Sequence, residues 1–189
     1  MKGKKNQGFS LVELIVVIAI MAVLVGVLAP AYLKYVEKSR KSKDLQLIDN
    51  IVKTGTTIAT DPDNEYYIPA GAWFVVSCTS GTLSVDITDM DDTDGHRTDA
   101  LNDWIESSGM KTNSSVKFAS KDWKKGTGEF KGLVNPAGTI KWDIASVSGV
   151  FTDINSYSSN FAEYFTTVSN VAPAGNGSNN GNNGGANNP

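Results

Sequence analysis

A chain of 189 residues carrying 17 basic and 20 acidic side chains has room for one modest domain beside an apolar N-terminal run. The formal charge of −3, with the only dense basic run at Lys38, Arg40, Lys41 and Lys43, argues against a nucleic-acid partner, which needs a wide basic surface. Cys78 is the single cysteine and His96 the single histidine, so an intrachain disulfide is excluded and His-rich metal sites nearly so.

Residues 1–8 form a short basic leader with Lys2, Lys4 and Lys5. A chain cut after Gly8 keeps 14 basic against 20 acidic side chains, near −6. Residues 9–29 then supply about the apolar length that a helix needs to cross ~30 Å of hydrocarbon. Glu13 interrupts that run. An acidic side chain inside a spanning helix costs roughly 2.5–3.5 kcal/mol, less near the interface, and neither a plain anchor nor a removable signal has a use for it. A removable signal stays open, because Ala29-Pro30-Ala31 has the small-x-small pattern of a cleavage site before Tyr32. The positive-inside count conflicts with an exported head, since more basic residues follow the run than precede it.

Pro30 removes the helical hydrogen bond to the Gly26 carbonyl, and Gly26 weakens the helix further, so a kink or a melted turn is expected there. Beyond it Tyr32, Val36, Leu45, Ile48, Ile51, Val52 and Ile58 recur at helical spacing. Thr54-Gly55-Thr56-Thr57 lowers helix propensity, and Asp61-Pro62 is the expected stop. Residues 9–58 are thus predicted as one rod of roughly 75 Å, half of it protruding and apolar.

Residues 59–172 are predicted as a β-rich globular head. Trp73–Val76 and Leu83–Ile87 flank Ser80-Gly81 as a hairpin. Residues 98–108 read as a short helix with Leu101, Trp104 and Ile105 on one face and Gly109 as its stop. Ile140, Trp142 and Ile144 alternate with Lys141 and Asp143 as a half-buried strand. Phe151, Tyr157, Phe161, Tyr164 and Phe165 are expected in the core or at an interface. Residues 173–189, rich in Gly and Asn, have no apolar periodicity and are expected to be disordered. The fold class is α+β: a long N-terminal helix packed on an antiparallel sheet.

Catalytic constellations are missing from the sequence. There is no Gly-x-Ser-x-Gly or Walker-type loop, and residues 126–132, GTGEFKG, lack the strand-then-helix setting of a dinucleotide site. Asp89, Asp91, Asp92 and Asp94 could offer hard oxygens to Ca²⁺. Aligned on Gly95, however, Met90 and Leu101 stand where an EF-hand needs acids, so an ordinary solvated acidic loop is favoured, and no cofactor is expected.

The leader ending in Gly8, followed by Phe9-Ser10-Leu11-Val12-Glu13-Leu14 and an apolar run to Pro30, resembles the N-terminus of a type IV pilin or pseudopilin. The likeness is dense over residues 3 to about 55. It implies cleavage between Gly8 and Phe9 by a membrane prepilin peptidase, N-methylation of the new Phe9 amine, and assembly by the pilus machinery into a homopolymer with the apolar helices inside. It also implies a loosened helix before Pro30, a membrane-held precursor and a cell-surface filament. A free amine at Phe9, with an ordinary pKa of about 7.7–8.0, is largely cationic, and Glu13, four residues on, is then its counter-ion within one helix or between subunits. The implied function is a structural subunit, a major pilin. The alternatives are a pseudopilin of a secretion or DNA-uptake system, or a secreted binding domain whose signal is removed.

Overall fold

The computed structural model describes residues 8–61, 68–110 and 116–166. Helix α1 spans Leu11–Thr60. It begins two residues later than the apolar pattern predicts because Ser10 is its cap, held in an extended conformation (φ −70°, ψ 139°). The turn from Gly26 to Pro30 is helical, so the expected melted turn does not occur in the single chain. The weak Thr54–Thr57 stretch is helical as well. The Thr54, Thr56 and Thr57 hydroxyls donate to carbonyls one turn back, and Gly55 lies flush under the Trp104 indole, where a Cβ would sit 2.9 Å from the ring. Tertiary contact outweighs propensity there. The helix ends at Thr60, with Asp61 extended.

The hairpin forms as predicted, with β1 (Trp73–Thr79) and β2 (Thr82–Thr88) joined through Ser80 and Gly81 at φ 50° and 74°, the pair of positive values that a type I′ turn requires. Helix α2 (His96–Ser107) follows. At its end the Gly109 amide donates to Glu106 and the Met110 amide to Ile105, and Gly109 takes φ 77°. That is a Schellman stop, placed where the sequence put it.

Strands β3 (Val116–Lys117), β4 (Gly128–Val134) and β5 (Ile140–Asp143) precede a 3₁₀ turn at Ile144–Ser146, helices α3 (Val150–Tyr157) and α4 (Ser159–Ala162), and β6 (Phe165–Thr166). The sheet order is β3-β2-β1-β4-β5-β6. All neighbours are antiparallel except β5 and β6. Two details differ from the sequence reading. Ile144 leaves the strand for the 3₁₀ turn and is exposed, and Tyr157 is 45% exposed, whereas Phe151, Phe161 and Phe165 are buried. One face of the sheet, with Phe74, Val76, Ile87, Phe130 and Trp142, makes a continuous core with Ile48, Ile51 and Val52 of α1.

The architecture is therefore the α+β arrangement expected. Only the second half of α1 is packed, with Asp44, Ile48, Ile51, Val52 and Gly55 buried in the head. Of the predicted stripe, Ile48, Ile51 and Val52 are buried, Val36, Leu45 and Ile58 are half-buried, and Tyr32 is exposed. Most of the leader, Pro62 and the Gly/Asn-rich tail lie outside the described residues.

Candidate functional site

From Gly8 to Tyr35 every residue of the chain is exposed. This first half of α1 is long and apolar enough to cross a membrane, and none of that window is buried. Leu11, Ile15, Ile18, Leu24, Val27 and Leu28 are among more than a dozen large apolar side chains with over half, or nearly half, of their surface open. A bare surface of this size cannot persist in water. It requires lipid or further protein.

The polar feature of that surface is at its tip. Gly8 and Phe9 precede the helix, Phe9 is 85% exposed, and a Cβ on Gly8 would meet nothing within 4 Å. Both residues that flank this peptide bond are exposed. With the leader attached, Glu13 Oε2 accepts the Ser10 backbone N–H at 2.9 Å. Ser10 and Glu13 thereby form a capping box, and the helix starts there because two otherwise orphaned groups satisfy each other. The S-x-x-E spacing carries that signal, and the sequence reading overlooked it. The counter-ion role assigned to Glu13 concerns the amine that cleavage would create. In the uncut chain the carboxylate rests instead on the amide one residue further on.

A second cluster fixes where the bare half leaves the head. Asp44, 2% exposed, accepts the backbone amides of Ala119 and Ser120, each at 2.8 Å. Seven residues earlier on the same face, Glu37 Oε1 accepts the Ser120 hydroxyl at 2.6 Å and the Lys121 amide at 2.8 Å. Burial pushes the Asp44 carboxyl upward against the pull of those two amides. The Ser120 hydroxyl, aided by backbone amides and Arg40, holds Glu37 below the usual range. Between them Lys41 pairs with Asp122 at 2.6 Å, and its ammonium lies 5.4 Å from the Trp123 ring centre and 4.8 Å from that of Tyr157. Lys41, one of the four residues of the dense basic run, is thus enclosed by the head and is neither on a solvated helix face nor free for a membrane-surface contact, the two places the sequence suggests for that run.

Further along α1, Asp49 pairs with Lys53 at 2.8 Å and accepts the Tyr164 hydroxyl. A cleft of about 450 Å³ opens beside them, walled by Leu45 and Gln46 of α1 and by Ser158, Asn160, Phe161 and Glu163 of the C-terminal segment. The acidic loop is occupied with its own structure. Asp92 accepts the Thr98 amide at 3.0 Å and the Thr98 hydroxyl at 2.6 Å, fastening the start of α2, and Asp91 accepts the Thr93 amide at 3.2 Å. Asp89 sits at φ 58° after β2. Among the described residues no three His, Cys, Asp or Glu side chains gather to hold a metal ion. Cys78 is buried, and its thiol donates to the Gly126 carbonyl at 3.3 Å.

Residues 3–29 match the prokaryotic N-terminal methylation motif. In this N-terminal segment the chain is similar to type IV pilins. It is 33% identical over 79 residues to the type IV major pilin proteins PilE1 and PilE of Neisseria gonorrhoeae and to a fimbrial protein of Neisseria meningitidis. The match takes in 42% of this chain and 42–43% of those relatives, so the chain spans under half the length of the curated relatives it matches. No solved structure matches it. The match to the methylation motif is confined to residues 3–29, and the head is described by its own geometry.

Proposed function

We propose that this chain is a non-enzymatic structural subunit of a type IV pilus, of the major pilin kind. It would be made as a membrane-held precursor, cleaved after Gly8, N-methylated at Phe9 and polymerised through α1 into a cell-surface filament. The observation that carries this reading is the wholly exposed apolar first half of α1, which starts beside the exposed Gly8 and Phe9 at a cap where Glu13 accepts the Ser10 amide. Relatives named as major pilins support the subunit kind.

The energetics give each part a role. Lipid tails are as apolar as the helix itself, so moving α1 from a bilayer into a core of like helices changes apolar burial little. What distinguishes one register from another is then the polar pair. A buried carboxylate without a partner is strongly penalised, and breaking a buried ion pair costs ~3–5 kcal/mol. The Phe9 amine offers that partner once the leader is removed. Pairing Glu13 with the amine of the preceding or following copy selects one axial offset from many equally apolar ones.

Glu13→Gln tests this reading, because the glutamine carbonyl can still accept the Ser10 amide and preserve the cap while the charge is lost. Cleaved Glu13→Gln protein should accumulate in the membrane with filament yield sharply reduced. Filaments at the normal yield would overturn the pairing role.

A further inference from the structure

The head separates its charge along its length. At one end the β1–β2 turn rests on the 117–126 segment: the Gly81 amide donates to the Gly126 carbonyl at 2.8 Å, and the Phe118 amide donates to the Gly81 carbonyl at 2.9 Å. Glu37 and Asp44 hold this same segment, so this is the end where α1 leaves the head. It presents exposed Lys117, Lys121, Lys124 and Lys125. At the other end of the hairpin, where Trp73 pairs with Thr88, β2 runs into exposed Asp89, Asp91 and Asp94, with exposed Asp99 on the first turn of α2.

The two ends are about 20 Å apart, from the rise of a seven-residue strand. Helix α1 runs the same way. Asp44 lies at the lysine end, and twelve residues on Thr56 meets the Trp142 indole at 3.2 Å, in register with Phe74 through Gly132. That separation exceeds two Debye lengths at physiological ionic strength, ~8 Å each. The two patches therefore do not cancel within one head.

We propose that the lysine-rich base of one head docks on the aspartate-rich tip of a second copy of this chain, head to tail. The proposal rests on the assembly reading above. Both surfaces are present on every copy and are complementary in sign, and a contact between two different faces of identical chains adds copy after copy, into an open polymer wherever its rotation does not close a ring. The bare half of α1, roughly 40 Å from Leu11 to Tyr35 at 1.5 Å per residue, points the same way: copies that cover it must be displaced along the axis, which brings the base of one head toward the tip of another. Asp86 and Asp92 are left out of the docking set because Arg97 and Thr98 already hold them.

Charge reversal at each end tests the contact. Lys124→Glu with Lys125→Glu, and separately Asp91→Lys with Asp94→Lys, should each lower filament yield several-fold in cells that assemble the native chain, with cleaved protein in the membrane undiminished. The chain carrying all four changes should recover yield, because the complementarity is restored with the signs exchanged. Native filaments should also fragment more readily at 1 M than at 0.15 M NaCl, where screening shortens the Debye length from ~8 to ~3 Å. Unchanged yield in both double variants, or a fourfold variant no better than its parents, would overturn the proposal while leaving assembly through α1 intact. If the native chain itself makes no filaments, it is the assembly reading that fails.

Discussion

Asp44 of α1 closes on the backbone amide of Ser120 at 2.8 Å across 76 residues of sequence, and with it the direction in which the bare helix leaves the head is fixed. Replacing Asp44 with Ala leaves the amides of Ala119 and Ser120 facing a void. Each orphaned buried donor costs about 1–3 kcal/mol. Asp44→Ala should therefore lose roughly 2–4 kcal/mol in denaturant unfolding of the detergent-solubilised chain, and Asp44→Asn less, since its carbonyl can serve one amide. A loss below 1 kcal/mol in Asp44→Ala would show that the clasp is ornamental.

The two clasp acids contribute to pH dependence with opposite signs. Glu37 is depressed below its ordinary value of 4.5, so the unfolded chain binds its proton first. Its stabilisation is complete above pH 4.5 and is lost as pH falls through the folded value. Asp44 is raised above 3.8, so its contribution declines as pH rises from 3.8 through its folded value. The stability gap between native protein and Glu37→Gln should accordingly be widest above pH 4.5 and shrink in acid, measured by denaturant unfolding at a series of pH values. A gap that widens in acid would contradict the assignment.

Gly55 touches the indole of Trp104, which is fully buried and donates to the Ile51 carbonyl at 2.8 Å. A methyl group at Gly55 would improve helix propensity by about 0.8–1.0 kcal/mol but push that ring from its seat. Gly55→Ala should destabilise the head by about 1–3 kcal/mol, the usual cost of overpacking. A stabilised variant, read from the unfolding midpoint, would mean the contact relaxes freely.

Lys41 is held by the Asp122 carboxylate and the Trp123 and Tyr157 rings. Lys41→Met keeps the apolar stem and removes the charge. Its expected cost is about 1 kcal/mol from the lost cation–π and ionic contacts, with the Asp122→Asn background reducing that cost in a double-mutant cycle. Additive losses would show that the Asp122 pair contributes nothing and leave the effect to the two rings and to packing.

What the sequence made legible was local. The leader and Glu13 depend on spacing within a few residues, the hairpin on alternation around Ser80-Gly81, and the end of α2 on one glycine. Helix α3 was not legible, because Val150, Phe151, Thr152 and Asn155 favour other structures singly; the helix forms because Val150, Phe151 and Ile154 bury one face against the core. The clasp was hidden by distance along the chain, although Glu37 and Asp44 stand seven residues apart on one helix face, a spacing that marks shared duty as readily as shared exposure. The melted turn before Pro30 was expected from propensity, and the continuous helix shows that one missing hydrogen bond does not unwind the isolated rod.

Removal of the leader at one bond is the event on which the assembly reading depends. Intact-mass and N-terminal peptide mass spectrometry of the mature protein from its native cell measures it directly. The predicted mature chain begins at Phe9 with a methylated amine, keeping the apolar helix and exposing the cation that Glu13 pairs. A mature chain beginning at Tyr32 would mean that the helix is discarded as a signal, and one retaining Met1 would mean a simple membrane anchor; either result contradicts polymerisation through α1.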